Sequence, residues 1–500
     1  MDSLEQDALE VLSLVRSVKN SFAPINRIPP EVLSLIPDYY EDDTNHDLIA
    51  LTHVCRDWRN TLISRSSLWT RLDCTNVEKT RTYIQRSRSS PLEIFLEKDE
   101  DDTYLDDAFS LVTPHIHRIK SLIICADALP DAIEYFYCHT PLLEELDIDL
   151  ACIQAPVLDS TLFDGDLSSL RKLSLSGVIT HLPWKTLENL TTFNLKSCRP
   201  GRNFITRLLD FFENAPLLHT IVLEDSIPKS SNAPPWRIVL LPHLQMLAIT
   251  AKPTHSILLD HLCIPTGASL ILEFSFSSEK SPLREYLPEI TANLRNISHI
   301  TTINLRFGPT QKFVRMNGPS GELRVHARWK GEIVTPYTMD RRILRSLDPS
   351  ILSTTHGLAV SRYEHPRPAE VEKCPVFRTL SSMNSLRTLI LTKCNNLPFI
   401  IALNPKENPS KLLLCPILED LVLYIKSRDQ FHIERLTSMA KERASKAAKL
   451  FSITIVGLDE LVPGKKVFKL REHIEHVDYR VDDAPPDWDD LPGESSDKSE

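Results

Sequence analysis

The stretch that decides the fold is LLEELDIDL at residues 142–150, followed by SLRKLSLSG at 169–177 and NLTTFNLKSC at 189–198. Each follows the arrangement Leu-x-x-Leu-x-Leu, whose alternation is typical of a strand that is buried on one face. About a dozen such copies run along the chain, mostly about 20 to 32 residues apart. That spacing is typical of repeats that contain one strand and one connection each.

The other copies extend this pattern over most of the chain. They are LLHTIVLED (217–225), HLQMLAIT (243–250), HITTINLRF (299–307), SLRTLILTKC (385–394) and ILEDLVLYI (417–425), with less regular RIKSLIIC (118–125), SLILEFSF (269–276), HGLAVSRY (356–363) and FSITIVG (451–457). One repeat alone cannot cover its row of leucines, so neighbouring repeats must stack to bury it. We therefore predict an α/β fold, a leucine-rich-repeat solenoid over residues 76–481 with parallel strands inside and helices outside.

The spacing of the repeats is interrupted at one place, which contains KFVRM and ELRVHARW, separated by NGPSG. Leu323, Val325, Ala327 and Trp329 alternate with polar residues, which predicts a β-hairpin inserted between repeats near residues 308–332. After the last repeat, residues 482–500 are acidic, rich in proline and poor in apolar residues. This composition predicts a disordered tail.

The first 23 residues predict an amphipathic helix. Leu4, Ala8, Val11, Leu12, Val15 and Val18 recur at helical spacing, and Pro24 ends the pattern. We expect this helix to pack on its own protein. The alternative, a coiled coil with a partner, has only two heptads in its favour.

Residues 24–75 predict a small all-α block. IPPEVLSLI opens with a proline pair that suits a first helical turn, and Pro37 ends that helix. A polar linker leads to Asp47, which is expected to cap a second helix over DLIALTHVCRDWRNTLIS. SSLWTRLD closes the block.

This block resembles an F-box. The matching features are Ile28-Pro29-Pro30-Glu31-Val32-Leu33, Asp47-Leu48, Val54-Cys55-Arg56-Asp57-Trp58-Arg59 and Leu68-Trp69. Ile36-Pro37 departs from the Ile-Phe usual in the family, and the linker before Asp47 is longer than usual. LTKCNNLPF and the run from CPILEDLVLYI to DDAPPDWDDLP are also similar to the F-box proteins of mushroom-forming fungi.

The resemblance implies docking to a Skp-type adaptor, which attaches to a cullin scaffold and a ubiquitin-loaded conjugating enzyme. Carried over by position, the implied adaptor-binding residues are Ile28, Pro29, Pro30, Val32, Leu33, Leu48, Leu51, Val54, Cys55 and Trp58. Some of them, Leu51 and Val54 in particular, have the alternative role of holding the block together.

Composition narrows the classes of partner and compartment. A net charge of -10 and scattered basic residues argue against nucleic acid as a partner. No run of apolar residues is long enough for a membrane span, and the acidic N-terminus is unlike a secretory signal. Ten dispersed cysteines favour a reduced compartment. We expect the protein in the cytoplasm, the nucleus or both.

Signatures of catalysis are missing from the sequence. The sequence has no phosphate-binding glycine loop, and His115-x-His117 and His473-x-x-His476 have no third ligand at metal-binding spacing. We therefore expect no cofactor, no metal and no enzymatic activity. The leading hypothesis is a substrate receptor of a cullin-type ubiquitin ligase with an unknown protein substrate. The alternatives are an F-box scaffold that acts outside proteolysis and, less favoured, an enzyme of unknown type on a repeat fold.

The outward positions of the repeat strands suggest where that substrate binds. If the leucines point inward, the residues between them face the concave side. In the late repeats these positions include Ile390, Val422 and Tyr424, the only apolar group found there. We predict that these three residues contact the substrate. The alternative is that a C-terminal segment or the inserted hairpin covers them.

Overall fold

The structure, a computed structural model, describes residues 2–39, 46–74, 76–98, 105–126, 137–151, 155–158, 163, 167–180, 187–200, 203–227, 237–251, 256–276, 293–308, 311–329, 349–362, 375–408, 410–425, 432–457 and 469–481. The chain divides into two compact units. The first is Met1–Arg202 with Asn214–Leu217, and the second is Asn203–Glu213 with Leu218–Glu500. The predicted disordered tail at 482–500 lies outside the described residues.

The first unit opens with short helices. They are α1 (Asp2–Ser21), α2 (Pro30–Leu33), α3 (His46–Leu51) and α4 (Arg56–Ser64), with 3-10 turns at Pro24–Arg27, Ile36–Tyr39 and Ser66–Trp69. The prediction of one continuous second helix is wrong, because the chain breaks between α3 and α4. The Thr52 hydroxyl donates to the Ile49 carbonyl at 2.6 Å, and the Cys55 backbone is fully extended. The side chain of Thr52 thus competes with the helical hydrogen bonds.

Behind this block, the first unit carries six parallel strands. In spatial order they are β1 (Arg71–Leu72), β2 (Leu92–Lys98), β3 (Ile119–Ala126), β4 (Glu145–Leu150), β6 (Lys172–Ser176) and β8 (Thr192–Lys196). The two-residue strands β5 (Val157–Leu158), β7 (Ile179–Thr180) and β9 (Arg199–Pro200) form a second parallel sheet. The early connections contain α5 (Val77–Ser87), α6 (Leu105–Val112) and a 3-10 turn at Thr113–Arg118. His115 and His117 lie in that turn rather than on a strand.

The leucines of the repeat motif stack across the strands. Leu146 of β4 is in register with Leu173 of β6, which is in register with Phe193 of β8, and all three side chains are fully buried. Each large apolar side chain buried in this way contributes roughly 1.5–3 kcal/mol. The inward row therefore supplies the core of the first unit.

The second unit repeats this plan with more strands. They are β10 (Thr220–Glu224), β12 (Met246–Ala251), β14 (Ser269–Phe276), β15 (Thr302–Phe307), β16 (Gln311–Gly318), β17 (Gly321–Trp329), β18 (Gly357–Ser361), β19 (Thr388–Thr392), β20 (Asp420–Ile425), β21 (Ser452–Gly457) and β22 (His476–Val481), with a small pair of β11 (Val239–Leu240) and β13 (Leu262–Cys263). Its helices are α7 (Phe204–Asn214), α8 (Ser256–Asp260), α9 (Pro349–Thr354), α10 (Pro375–Ser381), α11 (Leu397–Leu403) and α12 (Ile433–Ser445).

Three strands in the middle of this unit depart from the parallel order. β15, β16 and β17 form an antiparallel meander. β17 then pairs in parallel with β14, and β15 pairs in parallel with β18. The spatial order is therefore β14-β17-β16-β15-β18. The β16–β17 hairpin falls within the residues for which an inserted hairpin was predicted; residues 309, 310 and 330–332 lie outside the described part.

The predicted fold class, a helical block followed by leucine-rich-repeat strands in parallel, is confirmed. Between β4 and β6 the described residues form the short strand β5, turns and a 3-10 position at Phe163, and between β6 and β8 they form β7 and turns. The other residues of these two connections lie outside the described part of the chain.

Candidate functional site

The helical block at residues 24–75 is held together by a small apolar core. Leu33 of α2 packs against Trp58 and Leu62 of α4. The half-buried apolar residues around this core are Ile28, Ile36, Leu51, Cys55 and Leu68. Ile36 therefore still packs against the core, although Pro37 beside it replaces the Phe that is usual in the F-box pattern. The Arg65 guanidinium donates to the Ser34 hydroxyl at 3.0 Å, which fixes α2 against the end of α4.

A second set of apolar residues on the same block faces solvent. Val32 is 50% exposed and Leu35 is 43% exposed, three residues apart along the α2 segment. Pro29, one turn before Val32, and Pro30 are exposed as well. Residues three apart lie on one side of a helix. Helix α2 therefore buries Leu33, whereas Val32 and the flanking Pro29 and Leu35 face solvent.

The structure distributes the ten predicted adaptor-binding residues over three environments. Pro29, Pro30, Val32 and Val54 are exposed, whereas Ile28, Leu48, Leu51 and Cys55 are half-buried. Leu33 and Trp58 are only 4% and 6% exposed. For these last two, the assignment to a docking face is corrected to core packing, because their side chains are covered by the block itself. Leu35, which is exposed three residues after Val32, was not among the predicted residues.

Trp69 joins this block to the first repeat. Its side chain is fully buried, and its indole N–H donates to the Leu62 carbonyl at 2.9 Å. Its ring meets Tyr83 of α5 edge-on, with ring centroids 4.9 Å apart, and the Arg86 guanidinium lies over its face at 4.3 Å. The block and the first repeat therefore share a packed aromatic contact.

The predicted substrate residues come together on the outward face of the second unit. Ile390 of β19 is in register with Val422 of β20, and Tyr424 is in register with Thr392. All three predicted side chains are half-buried. In the neighbouring strands Ala359 pairs with Ile390 and Val456 pairs with Tyr424, but these two flanking side chains are buried, at 8% and 6% exposed. We call Ala359, Ile390, Val422, Tyr424 and Val456 the apolar strip.

An arginine group on the meander was missed in the sequence. Arg306, Arg315, Arg324 and Arg328 occupy outward positions on β15, β16 and β17, which lie on the same face as the apolar strip. Glu322 lies 2.6 Å from Arg315 and 2.8 Å from Arg324. The pairing of β15 with β16 brings Arg306 diagonally across from Arg315, and these two strands follow each other closely in the chain, with Phe307 paired to Lys312.

The outward face of the first unit carries acidic residues, in contrast to the arginines on the outward face of the second unit. Glu145, Asp147 and Asp149 line β4, and Lys172 lies 2.5 Å from Glu145. Burial raises the pKa of Asp147, against the lowering effect of a hydrogen bond with Ser174. Phe95 and Ile123 pair across β2 and β3 on this face. The expectation that the late repeats carry the only outward apolar group is therefore wrong.

The His, Cys, Asp and Glu side chains of the described residues are dispersed. They include no group of three or more side chains that could hold a metal ion. Burial raises the pKa of the Cys74 and Cys415 thiols to about 12, which keeps both protonated. A protonated, buried thiol is a poor nucleophile. Among the helices described, none has the length and apolar character needed to cross a membrane.

Comparison with known proteins supports the helical block directly. Residues 25–75 match the F-box-like family. That span contains all ten predicted adaptor-binding residues and the exposed Leu35. It covers the block alone and leaves the repeats unassigned.

The repeats have a remote structural likeness. The crystal structure of an internalin from Listeria monocytogenes is similar over 74% of this chain and 89% of that chain, with 12% sequence identity and a TM-score of 0.24. A TM-score this low supports no conclusion about fold or function. No curated protein matches the chain.

Proposed function

We propose that this chain is the substrate receptor of a cullin-type ubiquitin ligase, acting in the cytoplasm or nucleus without catalysing a reaction itself. The F-box block would bind a Skp-type adaptor, and the repeat strands would bind the protein to be modified. The observation that carries the proposal is that α2 of the F-box-like block has one side in the core and the other side exposed to solvent. Leu33 holds the core while Pro29, Val32 and Leu35 remain exposed.

The exposed side of that helix has the features of a docking surface. It is apolar, it belongs to a small domain, and it is separate from the core that folds the domain. Val32 and Leu35 retain about half of their surface. Burying the rest would contribute roughly 1 kcal/mol for each, with the prolines adding rigid surface at little entropic cost.

The adaptor test uses surface residues, so that loss of binding is separable from unfolding. We expect Val32→Glu with Leu35→Glu to reduce co-purification of a Skp-type adaptor at least tenfold, because two carboxylates would have to be buried without partners. The matched control is Val157→Glu, since Val157 is 47% exposed but lies on β5. Circular dichroism of both variants checks that the fold is retained. Undiminished adaptor recovery by the double variant would remove the docking assignment.

The partner surface of the repeats is proposed to be the apolar strip. Ile390 and Val422 are adjacent, and Tyr424 offers a ring with a polar end, a residue type frequent at binding hot spots. The neighbouring arginines favour a partner segment that carries acidic residues beside its apolar anchor. The alternative is that another segment of the chain covers the apolar strip, in which case substitutions in the strip would leave every captured partner in place.

The partner test compares proteins captured by the unmutated chain and by Val422→Glu with Tyr424→Ala. The control is Ile417→Glu, since Ile417 is 45% exposed and lies before β20, outside the apolar strip. We expect the double variant to keep the adaptor and lose a captured protein that the control keeps. Survival of every non-adaptor partner would move the site elsewhere.

The outcome for a captured protein separates the two candidate functions. A ligase substrate should gain ubiquitin when the chain is assembled with adaptor, cullin and conjugating enzyme, and its abundance should rise when the chain is removed. A captured protein that does neither would support the scaffold function instead.

A further inference from the structure

Helix α1 leaves an apolar stripe uncovered by any described residue. Leu4, Val11, Val15 and Val18 of α1 are between 54% and 76% exposed, and Phe22, the residue that directly follows α1, is 68% exposed. Ala8, in line with them, is exposed as well. The expectation that α1 packs its apolar side on its own protein is therefore wrong for the described part of the chain.

The helix meets the F-box block with its other side. The Arg56 side chain hydrogen-bonds to the Ser13 hydroxyl. The shallow cavity between α1 and the start of α4 is lined by Leu9, Leu12, Ser13, Arg16, Ser17, Asn20, Cys55, Arg56 and Asp57. At 100° per residue, the α1 residues of this cavity are centred roughly 150° around the helix from the stripe. The contact with the block thus holds the stripe outward.

The stripe follows a heptad repeat. Its members are spaced by four and three residues in turn: Leu4, Ala8, Val11, Val15, Val18 and Phe22. In coiled-coil nomenclature Ala8, Val15 and Phe22 occupy a positions, and Leu4, Val11 and Val18 occupy d positions. This spacing puts one narrow seam along the whole helix, which suits another helix as its partner.

The seam fits a second copy of itself in the antiparallel direction. With the twofold axis at residue 13, Leu4 meets Phe22 of the other copy, Ala8 meets Val18, and Val11 meets Val15. Glu5 and Lys19 occupy e positions, and in this register each Glu5 lies beside the other copy's Lys19. A parallel pair would bring neither charge next to an opposite one.

From the seam and this charge match we propose that α1 is a self-association element, through which two copies of the chain form an antiparallel helical pair. Each apolar a residue then packs on a d residue of the other copy, and two identical Glu5–Lys19 ion pairs flank the seam. Because the seam holds little more than two heptads per helix, the dimer is weak and reversible. The proposal is independent of adaptor binding.

Association is tested on the full chain, without adaptor, by sedimentation equilibrium over a range of concentrations. We expect a monomer–dimer equilibrium for the unmutated chain. Val11→Glu should abolish it, because the carboxylate would be buried without a partner. A chain that stays monomeric at all concentrations would overturn the proposal, as would a dimer that survives Val11→Glu.

Direction is tested by charge reversal. Glu5→Lys alone and Lys19→Glu alone each place like charges beside each other, so each should dimerise roughly tenfold more weakly than the unmutated chain at low salt. An equimolar mixture of the two variants re-creates opposite charges in an antiparallel heterodimer and should recover most of that loss. Both variants carry a charge that disfavours the helix end, so the mixture controls for helix stability.

A matched reversal at an outer position, Glu10→Lys, should leave dimerisation unchanged within about twofold. A mixture that associates no better than its two components would overturn the antiparallel arrangement.

Discussion

Arg443 on α12 is fully buried and has no carboxylate partner among its hydrogen bonds in the structure. Its guanidinium donates to the Leu414 carbonyl at 2.8 Å and to the Cys415 carbonyl at 2.7 Å, and it reaches the Leu403 carbonyl at 3.5 Å. One side chain thus ties α12 to the end of α11 and to the turn that precedes β20. Burial lowers the pKa of Arg443, which reflects the cost of keeping its charge away from water.

We predict that Arg443→Met destabilises this part of the second unit by about 2 kcal/mol. Two short hydrogen bonds to a charged donor contribute roughly 3 to 6 kcal/mol together, and removing them leaves two buried carbonyls unsatisfied. Methionine recovers part of this loss, because it fills much of the volume and no charge is then buried. Arg443→Ala should cost about 2 kcal/mol more, since it also leaves a cavity.

Native-state hydrogen exchange of α11 and α12 amides in urea measures this change locally. The control is Arg435→Met on the same helix, where Arg435 is half exposed and lies 3.1 Å from Glu407. An exposed pair of this kind contributes about 0–1 kcal/mol. If Arg443→Met costs no more than Arg435→Met, the carbonyl contacts of Arg443 do not stabilise the fold and the reasoning fails.

Three further predictions concern other parts of the chain. Burial and the nearby Asp73 raise the pKa values of Tyr83 and Cys74 to about 12. The stability that the first unit gains from keeping these two groups protonated should be complete below pH 9 and be lost progressively from there towards pH 12. Urea unfolding at pH 8 and 10 should show a smaller fall in the free energy of unfolding for Tyr83→Phe than for the unmutated chain. Gly318→Ala would put a methyl group 1.9 Å from a backbone oxygen and should lower the melting temperature clearly more than Gly267→Ala. In Gly267→Ala the methyl group meets nothing within 4 Å, so the loss of stability comes only from the positive φ of this position and is about 1 kcal/mol. Trp69→Phe removes the indole hydrogen bond and should increase protease cleavage at the end of the F-box-like block, with a loss of about 1–2 kcal/mol; unchanged cleavage would mean that the bond contributes nothing.

The repeat strands were predictable because their signal is local. Leucines two residues apart specify which face of a strand is buried, as at Leu421 and Leu423, whatever the neighbouring repeat is. The break between α3 and α4 was not predictable in the same way. The apolar periodicity continues through it, and residues 52–55 include no Pro or Gly that would mark the break.

The candidate sites were harder to predict than the fold. Leu33 and Val32 are neighbours of similar character, yet one is core and the other surface, because the position of α4 decides which side of α2 is covered. The apolar strip was readable from single strands. The arginine group depends on the antiparallel pairing of β15 with β16, in which Phe307 pairs with Lys312 only five residues later, a local hairpin signal that was not recognised.

The antiparallel meander has a consequence for how the second unit acquires its structure during synthesis. In a simple repeat array each new strand adds to the preceding one, so stability grows one repeat at a time. Here β14 pairs with β12 on one side but cannot gain its second neighbour until β17 has emerged, since Ser269 pairs with Glu322, and β15 gains its parallel neighbour only when Gly357 arrives. The segment from β14 to β18 should therefore form in one concerted step, and a nascent chain that stalls within it would expose the edge of β14 to other chains.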